Sequence, residues 1–170
     1  GYDHLLFVIS LLMLVGFRRR LVATITAFTV AHSLTLGASA LGWLTLRSAP
    51  VEATIALSIL LICGEALRQR ETLSRRWPSL IAFLFGLLHG LGFAGALREI
   101  GLPEQHFTVA LLTFNLGVEA GQLLVVLAVW LLTVLAGRLL PVERFRQPLL
   151  YATGAMAAFW SIERLSAIFY

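Results

Sequence analysis

The chain contains no lysine. Its thirteen basic residues are all arginine, set against nine acidic ones, and charged residues of both signs make up only 13% of the 170 positions. Soluble domains carry about twice that fraction. A single cysteine, Cys63, excludes an intrachain disulfide. No low-complexity tract and no linker long enough to separate two domains interrupts the sequence, so 1–170 reads as one domain. Alternating stretches of about ten residues, which a membrane barrel would need, are also missing. So is an initiator methionine: the chain opens at Gly1 and turns apolar almost at once. The expectation is an upstream part, either a cleaved export signal or an extracytoplasmic region.

What is present is apolar sequence, 59% of the chain. Several windows run 18 or more residues with almost no charge, long enough for a hydrocarbon core of about 30 Å. The fold class this implies is all-α: a polytopic membrane protein with six transmembrane helices in one bundle. The helices are expected over about Asp3–Phe17, Leu21–Leu46, from after Pro50 to Leu67, Pro78–Leu97, from near His106 to Leu135, and Pro148–Ile168.

The arginines lie at helix ends, which speaks for membrane topology and against a nucleic-acid partner. Arg18, Arg19 and Arg20 fall in the first loop, Arg68, Arg70, Arg75 and Arg76 in the third, and Arg138, Arg144 and Arg146 in the fifth. Arg47, Arg98 and Arg164 fall at the opposite ends. The positive-inside rule then makes the odd loops cytoplasmic and both termini extracytoplasmic. Glu65, Glu71 and Glu143 sit near cytoplasmic arginines and read as surface ion pairs; Glu163 and Arg164 read as interface residues.

Against this background the ionisable residues inside the apolar segments stand out, because each is expensive there and needs a partner. They are Asp3, His4, His32, Glu52, His89 and Glu119, with Asn115, Gln122 and Ser33 as neutral helpers. At about 1.5 Å per residue, the histidines and Glu52 and Glu119 lie about 18–28 Å from the nearest arginine cluster, so their heights overlap. Asn115, Glu119 and Gln122 share one helical stripe. Ala82, Gly86 and Gly90 form a small-xxx-small stripe beside His89, which lets a neighbouring backbone approach closely.

Three histidines with carboxylates in a dry site suit a divalent transition metal such as Ni, Zn, Co or Cu. They would also serve a proton relay. Asp3 reads equally as a helix N-cap, and Glu52 as a favourable charge at a helix N-terminus. "AHSLTL" followed by "VEATIAL" is echoed by "LHGLGFA" followed by "GVEAGQLL", the pattern of a parallel internal repeat.

"GYDHLLF" (1–7), "FTVAHSLTL" (28–36), "VEATIALSI" (51–59), "FGLLHGLGFA" (85–94) and "FNLGVEAGQ" (114–122) together resemble the HupE/UreJ family of bacterial membrane proteins. They are similar to its branch with an extracytoplasmic N-terminal region. The resemblance implies a hydrogenase- or urease-accessory-type protein, commonly proposed as a permease for nickel or another divalent metal. It matches Asp3 and His4 to the family's Asp-His pair, and His32 and His89 to its intramembrane histidines.

Three functions follow as expectations. One is a divalent-metal permease, small enough that homo-oligomerisation would help it. Another is an intramembrane zinc-dependent hydrolase with Glu119 or Asp3 as base, which a lipid-accessible opening would favour. The last is a scaffold whose polar groups only lock helices together.

Overall fold

The computed structural model describes the backbone of residues 2–68, 70–100, 106–136 and 143–169, and the side chains of these apart from 94–100, 107 and 143. The described residues form seven helices: α1 (Tyr2–Val15), α2 (Arg19–Ala40), α3 (Ser48–Leu67), α4 (Leu73–Arg76), α5 (Pro78–Ile100), α6 (Phe107–Ala136) and α7 (Glu143–Phe169). Six correspond to the helices expected from the sequence, and α4 is a single turn inside the third loop. Side chains of Arg98 and Glu143, and all of Arg138, lie outside the described residues.

Two ends differ from expectation for a physical reason. The second helix stops at Ala40, not near Leu46, because Gly42 takes φ +78°. The Gly42 amide then donates to the Ser39 carbonyl and the Trp43 amide to that of Ala38, a Schellman close. Gly16, at φ +75°, ends α1 at Val15 with a simpler close, its amide donating to the Leu12 carbonyl at 2.8 Å. The third helix starts at Ser48, which puts Pro50 in the first turn, where no intrahelical donor is lost. The last helix begins five residues before Pro148, earlier than expected, and carries that proline inside it.

Helix directions follow from which residues meet. Along α2 and α5, Thr24 meets Ser79, Phe28 meets Gly86 and His32 meets Gly90, so the two run parallel. Their closeness is made by glycine. A Cβ at Gly86 would fall against the Phe28 carbonyl oxygen, and one at Gly90 against the His32 carbonyl oxygen and Thr35 Oγ1. This is the backbone approach that the small-residue stripe predicts, and its partner is α2. Ser10 of α1 meets Cys63 of α3, and Arg146 of α7 reaches the carbonyls of Met13 and Ala66 at 2.9 and 2.7 Å. α1 and α3 are therefore parallel and α7 antiparallel to them.

These directions collect the described arginines of the first, third and fifth loops at one end of the bundle. Arg146 and Arg75 cap the last carbonyls of α3 there, Arg75 donating to Ala66 at 3.2 Å and Arg68 at 2.7 Å. Glu65 pairs with Arg68 at 3.3 Å, as a surface ion pair should.

Polar side chains lie inside the bundle while many large apolar ones face outward. Phe7, Leu11, Ile25, Phe28, Ile59, Ile62 and Leu150 form a core. Ser10, Thr24, Thr29, Ser58, Asn115, Gln122 and Thr153 are buried with them, whereas Leu34, Leu61, Leu116, Leu124, Leu132 and Ile162 are exposed. Buried hydroxyls mostly bond within their own helix, as Ser10 does to the Leu6 carbonyl and Ser161 to that of Ala157. Arg19–Ala40, Ser48–Leu67 and Thr108–Leu135 are long and apolar enough to cross a membrane, and Tyr2–Val15 and Pro78–Phe93 are shorter apolar helices. Only 6% of the most apolar stretch of α6 is buried, so this helix forms an outer wall.

Candidate functional site

Three helices bring three imidazoles together. His4 enters from the first turn of α1, His32 from α2 and His89 from α5. The His4 ring centroid lies 5.0 Å from that of His32 and 5.1 Å from that of His89, with interplanar angles of 80° and 84°. Phe7 and Phe28 wall the cluster, their rings 4.9 and 5.0 Å from His89. His32 and His89 are fully buried. The close α2–α5 crossing at Gly86 and Gly90 is what places these two histidines on facing backbones.

Hydrogen bonds then decide which ring nitrogens carry protons. The Asn115 side-chain amide donates to the Leu111 carbonyl at 2.8 Å, which orients its Oδ1 toward His32 Nδ1, 3.1 Å away. That oxygen only accepts, so His32 carries its proton on Nδ1 and its lone pair on Nε2. Likewise, the Ser58 hydroxyl donates to the Ile55 carbonyl at 2.7 Å and lies 3.0 Å from His89 Nε2. With its proton committed, Ser58 Oγ accepts, and His89 keeps its lone pair on Nδ1. Among the described residues His32 Nε2 and His89 Nδ1 are both buried without a partner, as is His4 Nε2. Helix α6 thus orients one histidine and α3 the other, from outside the cluster.

The carboxylates expected beside the histidines are placed differently. Asp3 faces Arg164 of α7, at 3.2 Å from Nη1 to Oδ1 and 3.4 Å from Nη2 to Oδ2. Glu52 faces the same arginine, at 3.7 Å from Nε to Oε2, and lends it a backbone carbonyl at 3.1 Å. Arg164 also lies over the Trp160 ring at 5.4 Å. It is therefore the hub of a three-helix charge cluster, not a plain interface residue. Glu119 Oε1 accepts from Thr26 Oγ1 at 2.6 Å, and Gln122 Oε1 lies 3.5 Å from the Thr29 hydroxyl. Ser33 donates to the Thr29 carbonyl at 2.7 Å within its own helix.

Among the described residues, no three His, Cys, Asp or Glu side chains present their donors together as a metal ion would need. The rings meet edge to face. A rearrangement that brings the donors onto one ion and keeps the Asn115–His32 and Ser58–His89 hydrogen bonds falls to His4, by rotation about χ2, a broad torsion for histidine.

A cavity of about 510 Å³ adjoins the cluster between α1 and α6. His4, His32 and Gln122 are its polar walls; Leu5, Phe93, Phe114, Val118 and Val125 are among the apolar ones. Its walls include the exposed Tyr2 and Gly117, so it opens to the outside of the bundle.

The sequence reading missed Ser58 and Thr26. Ser58 could have been found as the lone hydroxyl in the stripe Val51, Ile55, Ser58, Ile62, whose other members are buried and apolar. Thr26 carries no signal of its own.

A family model described as HupE / UreJ protein matches residues 1–164, nearly the whole chain. The chain belongs to the HupE/UreJ family. No curated protein and no solved structure matches. The HupE/UreJ match spans His4, His32 and His89 with the helices that orient them, and ends at Arg164 on α7.

Proposed function

We propose that this protein crosses the bacterial inner membrane six times, with its termini outside, and moves or delivers a divalent transition metal of the nickel type. The observation that carries the reading is the set of three buried, unpartnered ring nitrogens on three adjoining imidazoles. In two of them the hydrogen-bond network leaves the lone pair on that nitrogen. Each buried polar atom without a partner costs about 1–3 kcal/mol, so three in one place call for a ligand. A metal ion that accepts all three would offset that cost, and neutral imidazole is the ligand form such ions take. Asn115 and Ser58 would hold the rings in the binding tautomer, the outer-partner role familiar from metal sites. As cargo, the ion must also leave, and a site that has to rearrange before it binds suits release. The exposed face of α6 leaves room for a homo-oligomer.

A metal-dependent hydrolase is the second reading, and the open cavity beside His4 and His32 favours it. An apolar substrate could reach His4 and His32 from the lipid without passing through water.

Elemental analysis of detergent-purified protein tests both. A divalent metal near one per chain is expected in the wild type and should fall at least tenfold in His32→Ala/His89→Ala. Exchangeable Ni or Co would favour cargo; tightly held Zn would favour the hydrolase. Equal metal content in wild type and variant, with both folded, would remove the site.

A further inference from the structure

A second cavity, of about 420 Å³, lies at the arginine-rich end of the bundle, far along the helices from the histidines. Arg18, Arg20, Arg75 and Arg76 line it, with Glu71 as the only acidic wall among the described residues. Among the described residues none of these four guanidiniums lies within ion-pair distance of a carboxylate; the ion pair at this end is Arg68–Glu65, and Arg164 pairs with Asp3 and Glu52 at the other. Arg75 Nε is buried with no partner. Arg20 commits one nitrogen to the Arg76 carbonyl at 3.0 Å, and Arg75 commits one to the end of α3. Each guanidinium has five N–H donors, so most of the set is uncommitted. Four like charges around one cavity repel unless an anion sits among them.

The surroundings indicate which anion. Leu14, Val15 and Pro78 give the cavity an apolar side. Immediately next to it in sequence, Val22, Leu73, Trp77 and Leu80 are all more than half exposed. Tryptophan at such a place marks the lipid–water boundary. A free phosphate would use the arginines and leave the apolar surface bare. A molecule with a phosphate and alkyl chains would use both.

We infer that this cavity binds the phosphate headgroup of an anionic phospholipid, with the acyl chains lying along the exposed apolar surface of α2 and α5. Guanidinium is well suited to the task, since its planar fork matches two phosphate oxygens at once. The site rests on the helices lying in a bilayer and is independent of the histidine cluster.

The test is a thermal-melt titration of the detergent-purified protein with phosphatidylglycerol, phosphatidylcholine or inorganic phosphate. Phosphatidylglycerol is expected to raise the melting temperature, and the other two to leave it unchanged. Arg18→Gln/Arg76→Gln, both exposed and outside the caps of α3, should weaken the phosphatidylglycerol response at least about tenfold. Arg19→Gln/Arg144→Gln removes the same charge outside the cavity and should leave it intact. Equal loss in both double variants would make the attraction diffuse and overturn the site. An equal rise with phosphatidylcholine would do the same. An equal rise with inorganic phosphate would overturn the lipid assignment. Should the cavity variant fail to fold, the wild-type titration at 1 M salt decides: the response must shrink strongly, because screening at that salt acts within about 3 Å.

Discussion

Gly90→Leu is expected to abolish assembly of a monodisperse protein, and Gly90→Ala to lose about 2–4 kcal/mol of stability. A Cβ at this position meets the His32 carbonyl oxygen and Thr35 Oγ1 at distances no real pair of atoms adopts. The obstacle is largely backbone, so it cannot rotate aside as a flexible side chain would. Relief requires α2 and α5 to separate along the crossing that Gly86 also makes close. That separation would pull His32 from His89 and open the core around Phe28 and Ala82. Gly64 gives the control, because a Cβ there has nothing within 4 Å. Gly64→Ala is expected to be neutral or to stabilise by up to about 1 kcal/mol through helix propensity. Thermal melting and size-exclusion elution in one detergent read all three variants. A Gly90→Leu protein that elutes and melts like the wild type would refute this account of the crossing.

Arg164→Gln should cost about 1–3 kcal/mol. It leaves two carboxylates, Asp3 and Glu52, without their shared cation at the ends of α1 and α3. The lower part of that range reflects partial exposure: the Asp3 and Arg164 side chains are 25% and 20% accessible. Asp3→Asn should cost a similar amount, and the double variant little more than either alone, because the pair acts as a unit. The same variants separate two roles for Asp3. If its carboxylate serves Arg164, as the geometry has it, Asp3→Asn and Arg164→Gln should change metal content equally. A much larger metal loss in Asp3→Asn would make Asp3 a ligand after all. Additive stability losses would show that the contact carries no coupling.

The histidines and the acids illustrate what one sequence can and cannot disclose. His4, His32 and His89 were identifiable because imidazole in an apolar segment is expensive wherever it sits, and because distance along a helix from the arginine clusters fixes depth. That logic concerns one helix at a time and needs no knowledge of neighbours. Glu52 and Glu119 passed the same test of depth, and Asp3 adjoins His4 in sequence, yet neither depth nor adjacency says which way a carboxylate turns. Arg164 claims two of them and Thr26 the third, and each claim is made by a different helix. Gly86 and Gly90 fall between these cases. Their spacing announced a close approach, but only the packed helices name α2 as the partner and His32 as the residue brought in.

The chain's hydropathy, its glycine spacing and its arginines determined by themselves that this would be a helical bundle with its basic loops gathered at one end. Those features are one-dimensional: hydrophobic length, helical period and charge position are all read along the chain. Tertiary structure alone decided that α2 and α5 run parallel in contact, that Asn115 and Ser58 set the tautomers of His32 and His89, and that Asp3 and Glu52 meet Arg164. The reason is that hydrogen bonds and ion pairs act over about 3–4 Å between residues up to 161 positions apart. No local pattern encodes such a meeting until the helices have packed.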